Sequence, residues 1–217
     1  MIRFQKKWSG KWETFSSQDK SFALRDRIIL SDVTEEFELK VNSKLQVDQT
    51  AYFEDAANYY MGEPRPEGRE VFGNQGPLPP QVGVPTTYTV VWQAKNLYND
   101  VQNAKVRAVL PAAVTLTGSV FPAGAPLTFD QVSREVVWEI GDMSAGTGPF
   151  ETAPSMAFQI RFTPLESQQG NVAQLIGEAR IQADDLFTEQ SLFAIDSSIN
   201  TTLPDDKSVA PQMGQVQ

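Results

Sequence analysis

The 217-residue sequence contains no cysteine and no histidine. Thiol nucleophiles, disulfide staples, Ser-His-Asp triads, structural zinc sites and His-ligated metals all need residues that are absent here. Basic side chains are in deficit: 18 Lys and Arg stand against 27 Asp and Glu, a formal charge of −9. That balance disfavours nucleic acid, which is bound by neutralising phosphates with Lys and Arg. No apolar run approaches the roughly 18 residues of a membrane span. No apolar stretch follows Met1-Ile2-Arg3-Phe4-Gln5-Lys6-Lys7, so no secretory leader is visible. No segment carries a sustained helical stripe either; the best helical candidate is the short stretch 53–61.

What the sequence has instead is alternation. Apolar residues are 41% of the chain, enough to bury a core. Tyr88, Val90, Trp92 and Ala94 share one side of a strand. Val106, Ala108 and Leu110 share another, as do Val136, Trp138 and Ile140, then Phe158, Ile160 and Phe162. Leu175, Gly177, Ala179, Ile181 and Ala183 continue the pattern, and Phe193, Ile195 and Ile199 share a parity. A period of two means one buried and one wet face, the mark of antiparallel sheets. Turn signals lie between the runs: 96–100, Pro111, Pro122 to Pro126, 141–149 and 164–170. The pattern predicts an all-β, immunoglobulin-like antiparallel β-sandwich. Its expected core is Tyr88, Val90, Trp92, Val106, Ala108, Leu110, Trp138, Ile140, Phe158, Ile160, Phe162, Ile181 and Ile195.

Odd positions from Phe37 to Phe53 form one alternating run that is too long for an ordinary strand. It reads as two strands in line, the last of one domain and the first of the next, joined near 47–50. An internal repeat supports this. Arg27-Ile28-Ile29-Leu30-Ser31-Asp32-Val33-Thr34-Glu35-Glu36 resembles Arg180-Ile181-Gln182-Ala183-Asp184-Asp185-Leu186-Phe187-Thr188-Glu189, each a strand followed by an acidic turn ending Thr-Glu and a second strand. With one extra residue in the second copy, Leu39, Val41, Ser43 and Leu45 fall opposite Phe193, Ile195, Ser197 and Ile199. The expected organisation is therefore three parts. Residues 1–46 are the C-terminal strands of a truncated, similar domain. Residues 47–203 are a sandwich with a surface excursion at 56–76. Residues 204–217 are a disordered tail or linker.

Residues 77–200 resemble the bacterial and archaeal cell-surface conserved repeat known as domain of unknown function eleven. The resemblance rests on Thr87-Tyr88-Thr89-Val90-Val91-Trp92 followed by Asn96, on the Leu110-Pro111 strand ending with Val114, on Val137 to Thr147, and on Phe158, Ile160, Phe162 and Pro164. Gly141 and Gly146 suit backbone angles that other residues resist. One departure is Gly177, where the family usually carries Asn. The resemblance implies an immunoglobulin-like sandwich in an exported, stalk-like repeat protein, located at the cell surface or outside the cell, with neighbouring repeat domains as partners. It implies no catalytic residues and no cofactor, and a membrane connection only through segments outside this chain.

Four kinds of side chain carry alternative chemistry. Asp184, Asp185, Asp205 and Asp206 are oxygen ligands that could hold calcium, against a reading as turn carboxylates. Glu139, Glu151, Glu166 and Glu178 could supply a hydrolase pair, although Glu139 and Glu178 fall on wet strand faces. Tyr59, Tyr60 and Phe72 give the excursion an aromatic surface suited to a glycan or protein partner. Trp92 and Trp138 read as core, whereas Trp8 and Trp12, among Lys6, Lys7 and Lys11, read as core residues of a half-domain or as a binding patch. Asn200-Thr201-Thr202 matches a glycosylation sequon. The preferred function is a non-catalytic structural or adhesive spacer, ahead of a glycan- or protein-binding module and a carboxylate hydrolase.

Overall fold

The computed structural model describes residues 40–54 and 72–217 in full, together with the backbone of the strands that precede them. Those strands form two antiparallel hairpins. β1 (Arg3–Trp8) pairs with β2 (Lys11–Ser16), and β3 (Ala23–Leu30) pairs with β4 (Val33–Lys40). The side chains of Trp8 and Trp12 lie outside the described residues, as does most of the helical candidate at 53–61.

The rest is an immunoglobulin-like sandwich of two antiparallel sheets. One is four-stranded, in the order β5 (Leu45–Tyr52), β6 (Thr86–Asn96), β11 (Ser155–Phe162), β8 (Val114–Phe121). The other is five-stranded, in the order β14 (Ser191–Asp196), β13 (Ala179–Asp185), β7 (Val101–Val109), β10 (Glu135–Met143), β9 (Leu127–Phe129). Consecutive strands β6 and β7 lie in different sheets, as the cross-sheet connections of this fold require. A small pair, β12 (Gln174–Ile176) with β15 (Ile199–Asn200), closes one end.

The core forms where the inward parities of the two sheets meet. Tyr88, Val90 and Trp92 from β6 face Val106 and Ala108 from β7, with Trp138, Phe158, Ile160, Phe162 and Ile181 filling between them. Trp92 meets Phe158 edge to face, with ring centroids 4.9 Å apart. Its indole N–H donates to Gln49 Oε1 at 2.8 Å, which satisfies a polar atom that burial would otherwise strand. Lacking a disulfide between its sheets, the sandwich is held by this aromatic packing. Gly141 and Gly146 both adopt φ of +86°, as their place at the end of β10 and the following turn demands.

Four sequence expectations need correction. Ile195 is 46% exposed and Phe193 70% exposed, because β14 turns Leu192 and Ala194 toward the core. Arg180 covers the outward Phe193 ring. The chain leaves the strand at Ser197-Ser198, so Ile199 is buried in β15 although it shares their parity. Ile140 is only partly buried, at the margin of the core. The break in the 37–53 run falls at 41–44, not 47–50. Ser43 is pinned there, while 47–50 pair continuously with β6.

Residues 204–217 are not a disordered tail. Val209 and Val216 are buried, and a short 3-10 turn spans Pro211–Gly214. The backbone of Gln217 exchanges hydrogen bonds with Pro80 and Val82, and that of Val216 with Gly170 and Asn171. Low periodicity concealed a segment that packs as an irregular strap, which needs no repeating pattern.

Candidate functional site

The edge strand β5 defines two sites, one at its start and one along its outer face. Odd positions of β5 face the core, so their backbone N–H groups point away from β6, toward the open edge. Three aspartates from the C-terminal half of the chain meet one donor of β5, at Gln49, and donors flanking its two ends. Asp185 Oδ2 accepts from Ser43 N at 2.7 Å, Asp196 Oδ2 from Gln49 N at 2.6 Å, and Asp206 Oδ2 from Phe53 N and Glu54 N at 2.8 and 2.9 Å. An exposed sheet edge is a template for unwanted pairing, and here Asp196 caps the mid-strand donor Gln49 N while Asp185 and Asp206 cap the flanks.

The first site is a joint between β4 and β5. Asp185 is 1% exposed and accepts four hydrogen bonds: from Ser43 N, Asn99 Nδ2, Phe187 N and Thr188 N. Burial raises its pKa, but these donors outweigh burial and hold the carboxyl below its ordinary value. Asn99 Nδ2 also donates to Val41 O at 2.8 Å. Ser43 Oγ donates to Asn96 Oδ1 and accepts from Tyr98 N and Asn99 N. Leu97 N donates to Lys44 O. Lys40 Nζ reaches Phe187 O at 3.2 Å and stands 5.3 Å from the Phe187 ring centroid. The four linking residues, 41–44, are thus held at Val41, Ser43 and Lys44 by two loops of the sandwich, 96–100 and 185–189.

The second site is a cleft of about 600 Å³ on the outer face of the four-stranded sheet. Its floor follows from register. Asp48, Gln93 and Ser155 stand side by side on β5, β6 and β11, and Thr50 stands beside Val91 in the next row. Residues 196–199, Pro204 and Asp205 form the wall. Asp48 pairs with Lys95 Nζ at 2.5 Å. The Asp205 carboxyl is raised above its ordinary value by burial and then by the Asp196 carboxylate. Tyr52 is raised chiefly by burial, against a hydrogen bond with Thr50, and further by Asp205 and Asp206.

The candidate residues from sequence are distributed differently from their expected groupings. Asp184 and Asp185 lie at one end of β5, and Asp205 and Asp206 at the other. Asp185 and Asp206 spend their oxygens on protein donors, while Asp184 accepts from Asn103 and Ser191. Among the described residues no group of three carboxylates is placed to hold a metal ion. Glu139, Glu151, Glu166 and Glu178 are all exposed, on separate elements. Phe72 packs on Tyr52, Val91 and Ala157, so it lies on the sheet. Tyr59 and Tyr60 lie outside the described residues. Asn200 is exposed, with its amide oxygen engaged by Thr202.

Gly177 has a local cause. Its carbonyl accepts from Gln49 Nε2 at 3.0 Å and its N–H donates to Val109 O at 2.9 Å. A Cβ there would stand 3.1 Å from Val109 O, so the close backbone approach favours glycine. The roles of Gln49 and Asp196 escaped the sequence, because nothing local marks a strand glutamine as the partner of a tryptophan 43 residues away.

No protein-family model matches the chain, and no curated protein matches it. Similar solved structures include a variant of BcpA, the major pilin subunit of Bacillus cereus, with 10% identity and a TM-score of 0.38 over 88% of this chain and 50% of the pilin. Another is the full-length major pilin SpaD of Corynebacterium diphtheriae, with 10% identity and a TM-score of 0.39 over 73% of this chain and 34% of SpaD. A family protein from Parabacteroides merdae has 8% identity and a TM-score of 0.26, over 74% of this chain and 45% of that protein. The chain spans half or less of the length of these structures. The sandwich is defined by its own strand order.

Proposed function

We propose that the chain is a non-catalytic spacer module of a longer repeat protein, exported and displayed at the cell surface. The observation that carries this reading is the joint. A flexible tether between domains needs no buried side chains, yet Ser43 is buried and the linker's backbone is held at Val41, Ser43 and Lys44 by Asn99, Asp185 and Leu97. Such a linker transmits orientation from one domain to the next, which is what a stalk requires. Residues 1–40 are then the closing strands of a preceding, similar domain, and 41–44 the linker into the sandwich. The β3–β4 hairpin and the β13–β14 hairpin share the repeated sequence and the strand-turn-strand form, although the second has the longer turn. Surface display rests on the resemblance to the conserved surface repeat.

The test exploits the absence of cysteine. Spin labels at Glu38→Cys and Val132→Cys report the distance across the joint. The spacer reading expects one narrow distance distribution that broadens when Asn99→Ala is added. A broad distribution with Asn99 intact contradicts a stiff joint.

A further inference from the structure

The cleft on the outer face of the four-stranded sheet has no part in the joint. Its volume of about 600 Å³ lies within the range of small-ligand sites, roughly 300–1,000 Å³. Its surface is two-sided in character. Asp48, Gln93 and Ser155 make a row of acceptors and donors, and beside them Val91 and Tyr52, largely buried under Phe72, add a small apolar margin. Sugars present this combination in reverse: hydroxyls around the ring edge and C–H groups on its faces.

Charge narrows the class. Lys95 already compensates Asp48, while Asp196 and Asp205 share the cleft wall and none of the described lining residues is a Lys or Arg. Asp196 accepts from Gln49 N and Ser197 N, one bond to each oxygen, so each oxygen keeps a second acceptor position. A cationic donor placed between these carboxylates relieves their repulsion. A neutral hydroxyl does not.

A peptide is the weaker candidate on the same observations. Strand addition at the β5 edge is obstructed at mid-strand, where Gln49 N is already bound to Asp196, and at both flanks, where Ser43 N and Phe53 N are bound to Asp185 and Asp206. We propose that the cleft binds a saccharide bearing a free, protonated amine, with Asp196 and Asp205 receiving the ammonium and the Asp48–Gln93–Ser155 row receiving hydroxyls.

Amide NMR of the whole chain, titrated with a glucosamine oligomer, tests this. The expected result is saturable shifts at Thr50, Gln93 and Ser198. Asp205→Asn should weaken binding about tenfold or more. Asp205 is exposed, and neutralising a carboxylate that Asp196 repels does not weaken the fold, so the melting temperature should not fall and the loss reports recognition, not folding. The fully N-acetylated oligomer, which lacks the cation, should bind about tenfold more weakly. The proposal is overturned if the cleft amides do not shift, if Asp205→Asn binds as well as the parent, or if the N-acetylated oligomer binds equally. It is also overturned if a lysine-rich peptide shifts these amides and the oligomer does not. None of these failures touches the joint, so the spacer reading stands or falls separately.

Discussion

Asp185 and Ser43 are separated by 142 positions in sequence, yet the carboxylate of one accepts the backbone N–H of the other at 2.7 Å. The contact ties the end of β13 to the linker that precedes β5. It closes the sandwich at the point where the chain enters.

Removing this carboxylate strands several donors at once. Asp185→Ala leaves Ser43 N, Asn99 Nδ2, Phe187 N and Thr188 N without their acceptor in a buried site. A loss of about 3 kcal/mol or more is expected in urea denaturation, since buried unsatisfied groups cost about 1–3 kcal/mol each and relaxation recovers part of it.

The same residue sets an acid limit. Its folded pKa lies below the ordinary 3.8. The stabilisation is therefore present above the unfolded value and is lost as pH falls through the lower folded one. Stability measured from pH 6 downward should fall from about pH 4, and Asp185→Asn should flatten that fall.

Outward and inward residues of neighbouring strands should respond oppositely. Ile181→Ala removes a fully buried side chain and should cost about 2–5 kcal/mol, whereas Ile195→Ala, on the outer face, should stay within about 0.5 kcal/mol. Trp138→Ala should cost about 3–5 kcal/mol. Equal melting temperatures for the two isoleucine variants would refute the facing of β14.

Truncation after Leu203 distinguishes a strap from a tail. It removes the buried Val209 and Val216 and the Asp206 cap on β5. A clear drop in melting temperature is expected; an unchanged melt would mean that residues 204–217 do not pack.

The strands were legible because their apolar residues alternate, and Trp92, Trp138 and Ile181 are buried as their parity demands, although β6 and β11 also bury Thr89, Val91, Ala157 and Gln159 of the other parity. Parity failed at Ile195, where a break at Ser197-Ser198 resets the faces without any glycine or proline to announce it. The strap at 204–217 was illegible because irregular backbone buries single residues, such as Val216, that carry no period. The joint was misplaced for a related reason. Val47-Asp48-Gln49-Thr50 looks polar, but Gln49 is 5% exposed and its amide is fully engaged by Trp92, Gly177 and Ser197. Polarity marked a buried hydrogen-bonded strand as though it were a surface linker. The cap residues Asp185 and Asp206 read as turn carboxylates or calcium ligands, and Asp196 carries no mark, because their partners lie more than 140 positions away.

Amide hydrogen exchange at Ser43 tests the joint most directly. The account predicts protection comparable to that of the neighbouring strand β5, lost selectively in Asp185→Ala. Exchange of the Ser43 amide at the rate of an open linker, with β5 itself protected, would contradict it.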